Sequence, residues 1–157
     1  MKILSKIIVK KLINKKIKLS VAESCTGGLL SNAITSVPGS SKIFKLGLVT
    51  YSNNSKIKVL KVPKKIINKY GAVSEEVCRS MVKNVSKIAE TTMSLSITGV
   101  AGPGGGTRKK PVGLVFIGIK KSGCVKIKKY LFKNKKRSYI QNNAVNKSLL
   151  LILNALK

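Results

Sequence analysis

Short apolar runs alternate with helical segments along this chain, and this alternation constrains its fold more than any other feature. Residues 1–14, 26–37, 63–71, 77–90 and 138–156 have helical periodicity or helix boundary residues. Five other runs have strand length or strand periodicity: 18–22, 44–51, 95–98, 113–119 and 125–132. The last two are joined by a connection of hairpin length, which makes them antiparallel neighbours. The sequence therefore predicts an α/β layered fold with a mixed β-sheet.

The chain of 157 residues is long enough for one domain with a real core, so we predict a single domain over residues 1–157. No apolar run approaches the ~20 residues of a membrane span, and lysines interrupt the N-terminal apolar stretch where a signal peptide needs an unbroken core. We therefore expect a cytoplasmic protein. Cys25, Cys78 and Cys124 match neither a zinc site nor a disulfide framework, so we expect them to be reduced.

The net charge of +28 comes from 32 lysines and arginines against 4 acidic residues. A charge of this size favours nucleic acid or another polyanion as a partner. The lysines are spread through nearly every segment, however, and aromatic residues make up only 4% of the chain, too few for stacking platforms. A compositional bias that places lysines on solvated faces is the favoured explanation. Non-specific nucleic-acid binding stays an alternative, and attraction of a phosphorylated substrate is compatible with both.

The residue types that the chain lacks narrow its chemistry. It contains no histidine and no aspartate, and its carboxylates are Glu23, Glu75, Glu76 and Glu90. This composition excludes Ser-His-Asp and Cys-His sites, histidine-based zinc sites and aspartate-held magnesium clusters. A hydroxyl nucleophile in this chain would need a lysine, a glutamate, a tyrosine or a water as its base.

The segment 22–28, AESCTGG, lies where the first predicted strand leads into a helix. Ser24 is therefore expected at a helix N-terminus, where unpaired N–H groups and the helix dipole can stabilise an anion or an oxyanion. In the simpler interpretation, Ser24 or Thr26 only caps the helix.

Two further segments follow predicted strands. Tyr51 ends the second strand, and Lys56 lies in a helical turn that Asn53 or Asn54 can cap. The loop 99–107, GVAGPGGGT, contains five glycines, and its consecutive N–H groups can form an anion-binding nest, although a plain connection is the alternative. Binding sites in α/β sheets collect at strand ends, which favours a functional role for all three segments.

Seven segments occur in order from about residue 18 to the C-terminal helix: AESCTGG, SVPGSS, VTYSNNSK, GAVSEE, ITGVAGPGGGT, KPVG and residues 132–137. Together they resemble the CinA C-terminal domain family, the nicotinamide-nucleotide amidases also called PncC. The resemblance implies a three-layer α/β/α sandwich with a mixed sheet, without metal or cofactor. It also implies hydrolysis of the carboxamide of nicotinamide mononucleotide to nicotinic acid mononucleotide and ammonia, in pyridine nucleotide recycling. Longer relatives carry an additional N-terminal domain, so we expect the stand-alone amidase form and a homo-oligomer.

The resemblance also implies catalytic roles. Ser24 matches the nucleophile, Lys56 the base, and Tyr51 a site tyrosine that relays or orients the proton. A lysine can act as a base only if burial or neighbouring cations lower its pKa towards neutrality. By the helix-terminus argument, backbone N–H groups near Cys25 and Thr26 are the candidates for an oxyanion hole.

Substrate binding is expected around the same segments. Arg137 matches the arginine of the family's late motif, so we assign it to the phosphate, with a solvated charge as the alternative. The competing hypothesis for the whole chain is a catalytically inactive basic module of the same fold that binds nucleotides or nucleic acid. The other residues expected to form the substrate pocket are Cys25, Thr26, Gly27, Gly102, Gly104, Gly105, Gly106 and Thr107.

Overall fold

In the computed structural model, which describes residues 1–134 and 136–157, five strands form one sheet. They lie in the order β2-β1-β3-β4-β5. β1 pairs in parallel with β2 and β3, whereas β4 pairs antiparallel with β3 and with β5. The predicted mixed sheet is therefore confirmed, with β5 at an edge. The strands are β1 (Leu19–Glu23), β2 (Phe44–Val49), β3 (Met93–Gly99), β4 (Leu114–Lys121) and β5 (Cys124–Leu131).

Helices cover both faces of this sheet, which gives the three layers that the resemblance implied. One face carries the first, second and last helices, which pack against one another and share the larger apolar core. The fifth helix lies along the opposite face, and the third and fourth pack beside it. None of the helices in the described ranges is long and apolar enough to cross a membrane. The helices are α1 (Lys2–Asn14), α2 (Leu29–Thr35), α3 (Asn53–Lys58), α4 (Lys64–Tyr70), α5 (Glu75–Ile88) and α6 (Arg137–Ala155).

The two faces of the central strands differ in chemistry, because successive side chains of a strand point to opposite sides. Towards α1, α2 and α6 the side chains are apolar, with Leu19, Val21 and the 93, 95 and 97 positions of β3 in the core. Towards α5 the strands carry buried hydroxyls.

These hydroxyls bind the backbone of the α5 layer. Ser94 Oγ donates to the Val82 carbonyl at 2.9 Å, and Ser96 Oγ donates to the Cys78 carbonyl at 2.8 Å. Further along β3, Thr98 Oγ1 donates to the carbonyl of Ala72, just before α5, at 2.8 Å. The helix therefore packs closely on the sheet with the polar groups of the strand satisfied.

Gly118 of β4 belongs to the same close contact. A Cβ atom at this position would lie 2.7 Å from Ser96 Oγ and 3.2 Å from Cys78 Sγ. A side chain there would push β4 away from the hydroxyls of β3 or displace α5.

Serine side chains cap two of the helices, and one of these caps corrects an expectation. Ser74 caps α5 by accepting from Val77 N, and Glu75 in its first turn pairs with Arg79 at 2.7 Å. The prediction that Asn53 or Asn54 caps α3 is wrong, because Ser52 does so. Its Oγ accepts from the N–H of Ser55 at 3.0 Å, and the Ser55 hydroxyl accepts from the N–H of Ser52 in return.

Candidate active site

Three loops meet at the edge of the sheet where β1, β2 and β3 end. Because these strands are parallel, their carboxyl ends share one edge. Ser24 directly follows β1, Tyr51 lies two residues beyond β2, and residues 100–107 follow β3. The first turn of α6 reaches the same edge through Arg137, which bonds to the second and third loops.

Lys56 contacts the residues that follow β1 and β2 and is almost completely buried, with 1% of its surface exposed. Its Nζ lies 2.9 Å from Ser24 Oγ and also donates to the carbonyls of Thr50 at 2.8 Å and Tyr51 at 3.3 Å. All three acceptors are uncharged oxygens. Burial without a carboxylate partner disfavours the ammonium form and lowers the pKa of Lys56 from 10.5 to about 8.

The distance between Lys56 and Ser24 allows proton transfer from the serine, and the lowered pKa of Lys56 makes its neutral form accessible. A distance of 2.9 Å is within hydrogen-bond reach, so a neutral amine on Lys56 can accept the Ser24 proton directly. A pKa of about 8 leaves roughly a tenth of the lysines neutral at pH 7. An exposed lysine would be neutral in far fewer molecules.

Glu23, on the other side of the Ser24 turn, is fully buried and holds the beginning of α2. Its two carboxylate oxygens accept from the N–H groups of Gly28, Leu30 and Ser31 and from the Ser31 hydroxyl, at 2.7 to 3.2 Å. Sequence reasoning missed this role. Glu23 is one of only four carboxylates in the chain and stands at a strand end, which is the observation that could have indicated it.

The arrangement around Glu23 corrects the predicted helix boundary. The helix expected over residues 26–37 begins at Leu29, with Gly28 as its N-cap at φ 98°. Neither Ser24 nor Thr26 caps it, so the simpler interpretation of these residues is wrong. The first amides of α2 are taken by the Glu23 carboxylate, so an oxyanion would have to use other donors.

The turn between Glu23 and α2 leaves two such donors. The carbonyls of Ser24 and Thr26 accept from the N–H groups of Gly27 and Leu29. Within residues 1–134 and 136–157, the N–H groups of Cys25 and Thr26 make no hydrogen bond to another residue. Their assignment to an oxyanion hole stays a prediction, now with free donors beside Ser24.

Two side chains of the same turn are buried. Burial raises the pKa of the Cys25 thiol to about 12, so this cysteine stays protonated and is no second nucleophile. The Thr26 hydroxyl is also buried and has no hydrogen-bond partner in the part of the chain that the structure describes. Gly27 is exposed and has a positive φ of 61°.

Arg137 connects two of the loops. Its guanidinium donates to the Tyr51 hydroxyl at 2.9 Å and to the Gly102 carbonyl at 2.8 Å. The Tyr51 side chain is 59% exposed, and the residue bonds to Lys56 only through its backbone carbonyl. The Tyr51 hydroxyl is thus hydrogen-bonded to Arg137 rather than to Ser24 or Lys56. Its part in proton transfer stays a prediction.

The glycine-rich loop divides into two parts. Gly102 is buried and bonded to Arg137. Gly104, Gly105 and Gly106 are exposed, as is Thr107, whose backbone pairs with Lys110 in both directions. Among the described residues, no hydrogen bond joins this exposed part to Ser24 or Lys56, so its role in a nucleotide pocket also stays a prediction.

Gln141 is a second residue that sequence reasoning missed. Its Nε2 donates to the Cys25 carbonyl at 2.8 Å across 116 positions of sequence. Together with Arg137 it lines an open cleft of about 740 Å³, whose other lining residues are Pro103, Asn134, Lys136 and Ser138. Gln141 is the one glutamine of the chain and lies one helical turn after Arg137, a spacing that could have indicated it.

The fold and the site together define a three-layer α/β/α protein with a buried serine-lysine pair at the carboxyl edge of a mixed sheet. The chain belongs to the CinA C-terminal domain family, whose model matches residues 1–156.

Individual relatives agree with this assignment. The chain is 50% identical over 130 residues to a competence-damage inducible protein of Clostridium perfringens, covering 83% of this chain and 32% of the relative. It is 47% identical over 145 residues to a CinA-like protein of Prochlorococcus marinus, and the match covers 91% of this chain and 34% of that relative. The chain thus spans about a third of the length of these two relatives. The crystal structure of the competence/damage inducible protein CihA from Agrobacterium tumefaciens superposes with a TM-score of 0.94 at 33% identity, and the match covers 99% of this chain and 94% of that one.

Proposed function

We propose that this chain is a nicotinamide mononucleotide amidohydrolase that converts the carboxamide of its substrate to a carboxylate and releases ammonia. The observation that carries the proposal is the contact of 2.9 Å between Lys56 Nζ and Ser24 Oγ, with the lysine buried and its pKa lowered to about 8. In a chain without histidine, this pair supplies both the nucleophile and the base that amide hydrolysis needs.

The first half of the reaction acylates the serine. Neutral Lys56 accepts the Ser24 proton while Oγ forms a bond to the carboxamide carbon, and the carbonyl oxygen becomes an oxyanion. The N–H groups of Cys25 and Thr26 are the donors available to it. When the tetrahedral intermediate collapses, the bond from carbon to nitrogen breaks and Lys56 returns the proton to the departing ammonia.

The second half regenerates the enzyme. A water gives a proton to Lys56 as its oxygen attacks the ester carbon, and a second oxyanion forms in the same place. The bond from carbon to Ser24 Oγ then breaks, Lys56 returns the proton to the serine, and nicotinic acid mononucleotide leaves. One water is consumed for each ammonia released.

The cleft beside the serine fits a phosphorylated substrate. A guanidinium has five N–H donors, and the two bonds from Arg137 to Gly102 and Tyr51 leave donors for a phosphate. Lys136 and Ser138 line the same cleft and add a charge and a hydroxyl. Gln141 of the same cleft bonds to the carbonyl of Cys25, so the cleft adjoins the turn that carries Ser24.

The net charge of +28 favours one other function, a basic module that binds nucleic acid without turnover. The two proposals differ in what Ser24 does. Nucleic-acid binding should be unchanged in Ser24→Ala and should fall steeply with salt, since it depends on lysines rather than on a reactive hydroxyl.

The test of the amidase proposal is release of ammonia from nicotinamide mononucleotide, with chromatography of the nicotinic acid mononucleotide formed. We expect turnover by the wild-type protein and none by Ser24→Ala, whose circular dichroism and melting temperature should match the wild type. Absence of product with folded wild-type protein would remove the amidase proposal. Full turnover by Ser24→Ala would remove the serine as nucleophile.

A further inference from the structure

The first two turns of α6 bind all three loops of the active-site edge. Arg137 bonds to Tyr51 and to Gly102, and Gln141 bonds to the Cys25 carbonyl. Residues four apart lie on one face of a helix, so both side chains project into the same open cleft. Arg137 is already assigned to the phosphate of the substrate, whereas Gln141 contacts the turn that carries Ser24.

The Gln141 contact fixes the direction of one N–H group. Among the described residues the one cis peptide bond joins Gly102 and Pro103, so the peptide between Cys25 and Thr26 is trans. In a trans peptide the carbonyl and the following N–H point in opposite directions. Because Gln141 holds the Cys25 carbonyl towards α6, the N–H of Thr26 points away from α6.

The turn around this peptide is closed by one backbone bond, from the N–H of Gly27 to the carbonyl of Ser24 at 3.1 Å. Glu23 anchors the chain from Gly28 onward, and β1 anchors it up to Glu23 itself. Between these anchors, within the described ranges, Gln141 makes the one side-chain hydrogen bond to the backbone of residues 25–27. Rotation of this peptide would change ψ of Cys25 and φ of Thr26, and Gln141 opposes it by holding the Cys25 carbonyl.

We propose that Gln141 is a positioning residue for the oxyanion hole: by holding the Cys25 carbonyl, it keeps the N–H of Thr26 directed at the oxyanion formed on Ser24. The inference rests on the proposed amidase function for its reaction. It assigns Gln141 no contact with the substrate's reacting atoms and no part in proton transfer.

This role predicts a specific kinetic pattern. Loss of one oxyanion-hole donor lowers kcat by roughly 100-fold to 1,000-fold, and a donor that is only misdirected part of the time should cost less. For Gln141→Leu and Gln141→Glu, which remove the donor and keep the size, we expect kcat to fall about 10-fold to 100-fold. KM should change less than about threefold, because the interaction is made in the transition state.

Two further variants separate positioning from simple structural support. Gln141→Arg restores an N–H donor on a long side chain and should recover at least about fivefold in kcat over Gln141→Leu. Asn142→Leu changes the exposed neighbour on α6 and should leave kcat, KM and melting temperature unchanged. The midpoint of the pH profile should stay at the wild-type value in every variant, since Lys56 does not contact Gln141.

Two outcomes with active wild-type protein would overturn the inference. One is a kcat for Gln141→Leu within twofold of Asn142→Leu. The other is an equal loss in Gln141→Leu and Gln141→Arg that follows a fall in melting temperature, which would mean that the glutamine only stabilises the fold.

A second measurement does not depend on the substrate. Phenylmethylsulfonyl fluoride transfers its sulfonyl group to a reactive serine: Lys56 accepts the Ser24 proton, a bond forms between Oγ and sulfur, negative charge develops on a sulfonyl oxygen, and fluoride leaves. Intact-mass spectrometry should show labelling of the wild type, none of Ser24→Ala, and labelling at least about fivefold slower in Gln141→Leu than in Asn142→Leu. Equal rates, or no labelling of the wild type, would contradict the role of Gln141. Slower labelling without nicotinamide mononucleotide turnover would contradict only the proposed substrate.

Discussion

Two charged side chains are buried on opposite sides of the Ser24 turn, and their surroundings differ. Glu23 faces α2 and accepts four hydrogen bonds, three of them from backbone N–H groups. Lys56 comes from α3 and donates to three uncharged oxygens, one of which is Ser24 Oγ. Both side chains are at most 1% exposed, so burial alone does not distinguish them.

The difference shows how one turn can be both rigid and reactive. Glu23 meets a helix N-terminus, where donors and dipole stabilise its charge, so the carboxylate serves to hold the backbone. Lys56 meets only neutral dipoles, so its charge is poorly compensated and its proton is easier to lose. The contrast predicts that changes at Lys56 affect chemistry and changes at Glu23 affect stability.

The largest expected effect comes from Lys56→Met, which keeps the length of the side chain and removes the base. We expect kcat/KM for nicotinamide mononucleotide to fall at least about 10⁴-fold, since removing the base of a serine protease costs roughly 10⁶-fold in kcat, with the protein still folded. Ammonia release under initial-rate conditions measures it. The matched control is Lys58→Met, an exposed lysine of the same helix, which should keep full activity. A comparable loss in both variants would mean that charge in general, not this lysine, supports turnover.

Glu23→Gln tests the other side of the turn. The amide nitrogen of glutamine would face N–H groups that need an acceptor, so the variant should lose roughly 3 kcal/mol of unfolding free energy. Urea denaturation measures this loss. Glu90→Gln, at an exposed carboxylate, should change it by less than about 0.5 kcal/mol. If Glu23→Gln is as stable as Glu90→Gln, the carboxylate is not the anchor of the turn.

The pH dependence should give a smaller, graded effect. Neutral Lys56 is the base, so kcat/KM should rise about tenfold for each pH unit below 8 and level off above it. Rates in overlapping buffers from pH 6 to 10 measure the profile. A flat profile across pH 8 would separate turnover from the ionisation of this lysine.

Stability should respond to the same ionisation. The pKa of Lys56 is 10.5 in the unfolded chain and about 8 in the folded protein. Between these values the unfolded chain holds a proton that the folded protein has lost, so this contribution to stability rises with pH across the window. Lys56→Met should lose that rise, whereas Lys58→Met should keep it.

The sequence predicted the architecture well because its main determinants are local. Apolar periodicity located the five strands and the long helices, and Gly71 follows the last residue of α4 at the end of the segment 63–71. The serine-lysine pair was recognised from family motifs, and the structure places the two atoms in contact.

What the sequence did not predict depends on contacts between distant segments or on backbone atoms. Glu23 binds the first amides of α2 from five to eight positions upstream, outside the usual N-cap spacing, whereas the sequence pattern indicates Ser24 or Thr26 as the cap. The acceptors that Thr50 and Tyr51 offer Lys56 are backbone carbonyls, which no residue type identifies. Gln141 reaches Cys25 only because α6 packs beside α2, far away in sequence.

The hydroxyls of Ser94, Ser96 and Thr98 relate the spacing of residues along β3 to the spacing of carbonyls along α5. Two residues along a strand advance about 6.6 Å, whereas four residues along a helix advance about 6 Å. Ser94 and Ser96 therefore fit the carbonyls of Val82 and Cys78 with a mismatch of only about 0.6 Å. The mismatch grows with every step, and the next hydroxyl, Thr98, finds its acceptor at Ala72, beyond the end of the helix. Sliding α5 by half a turn would take both carbonyls away from Ser94 and Ser96 at once, so these hydroxyls hold the helix in register with the strand.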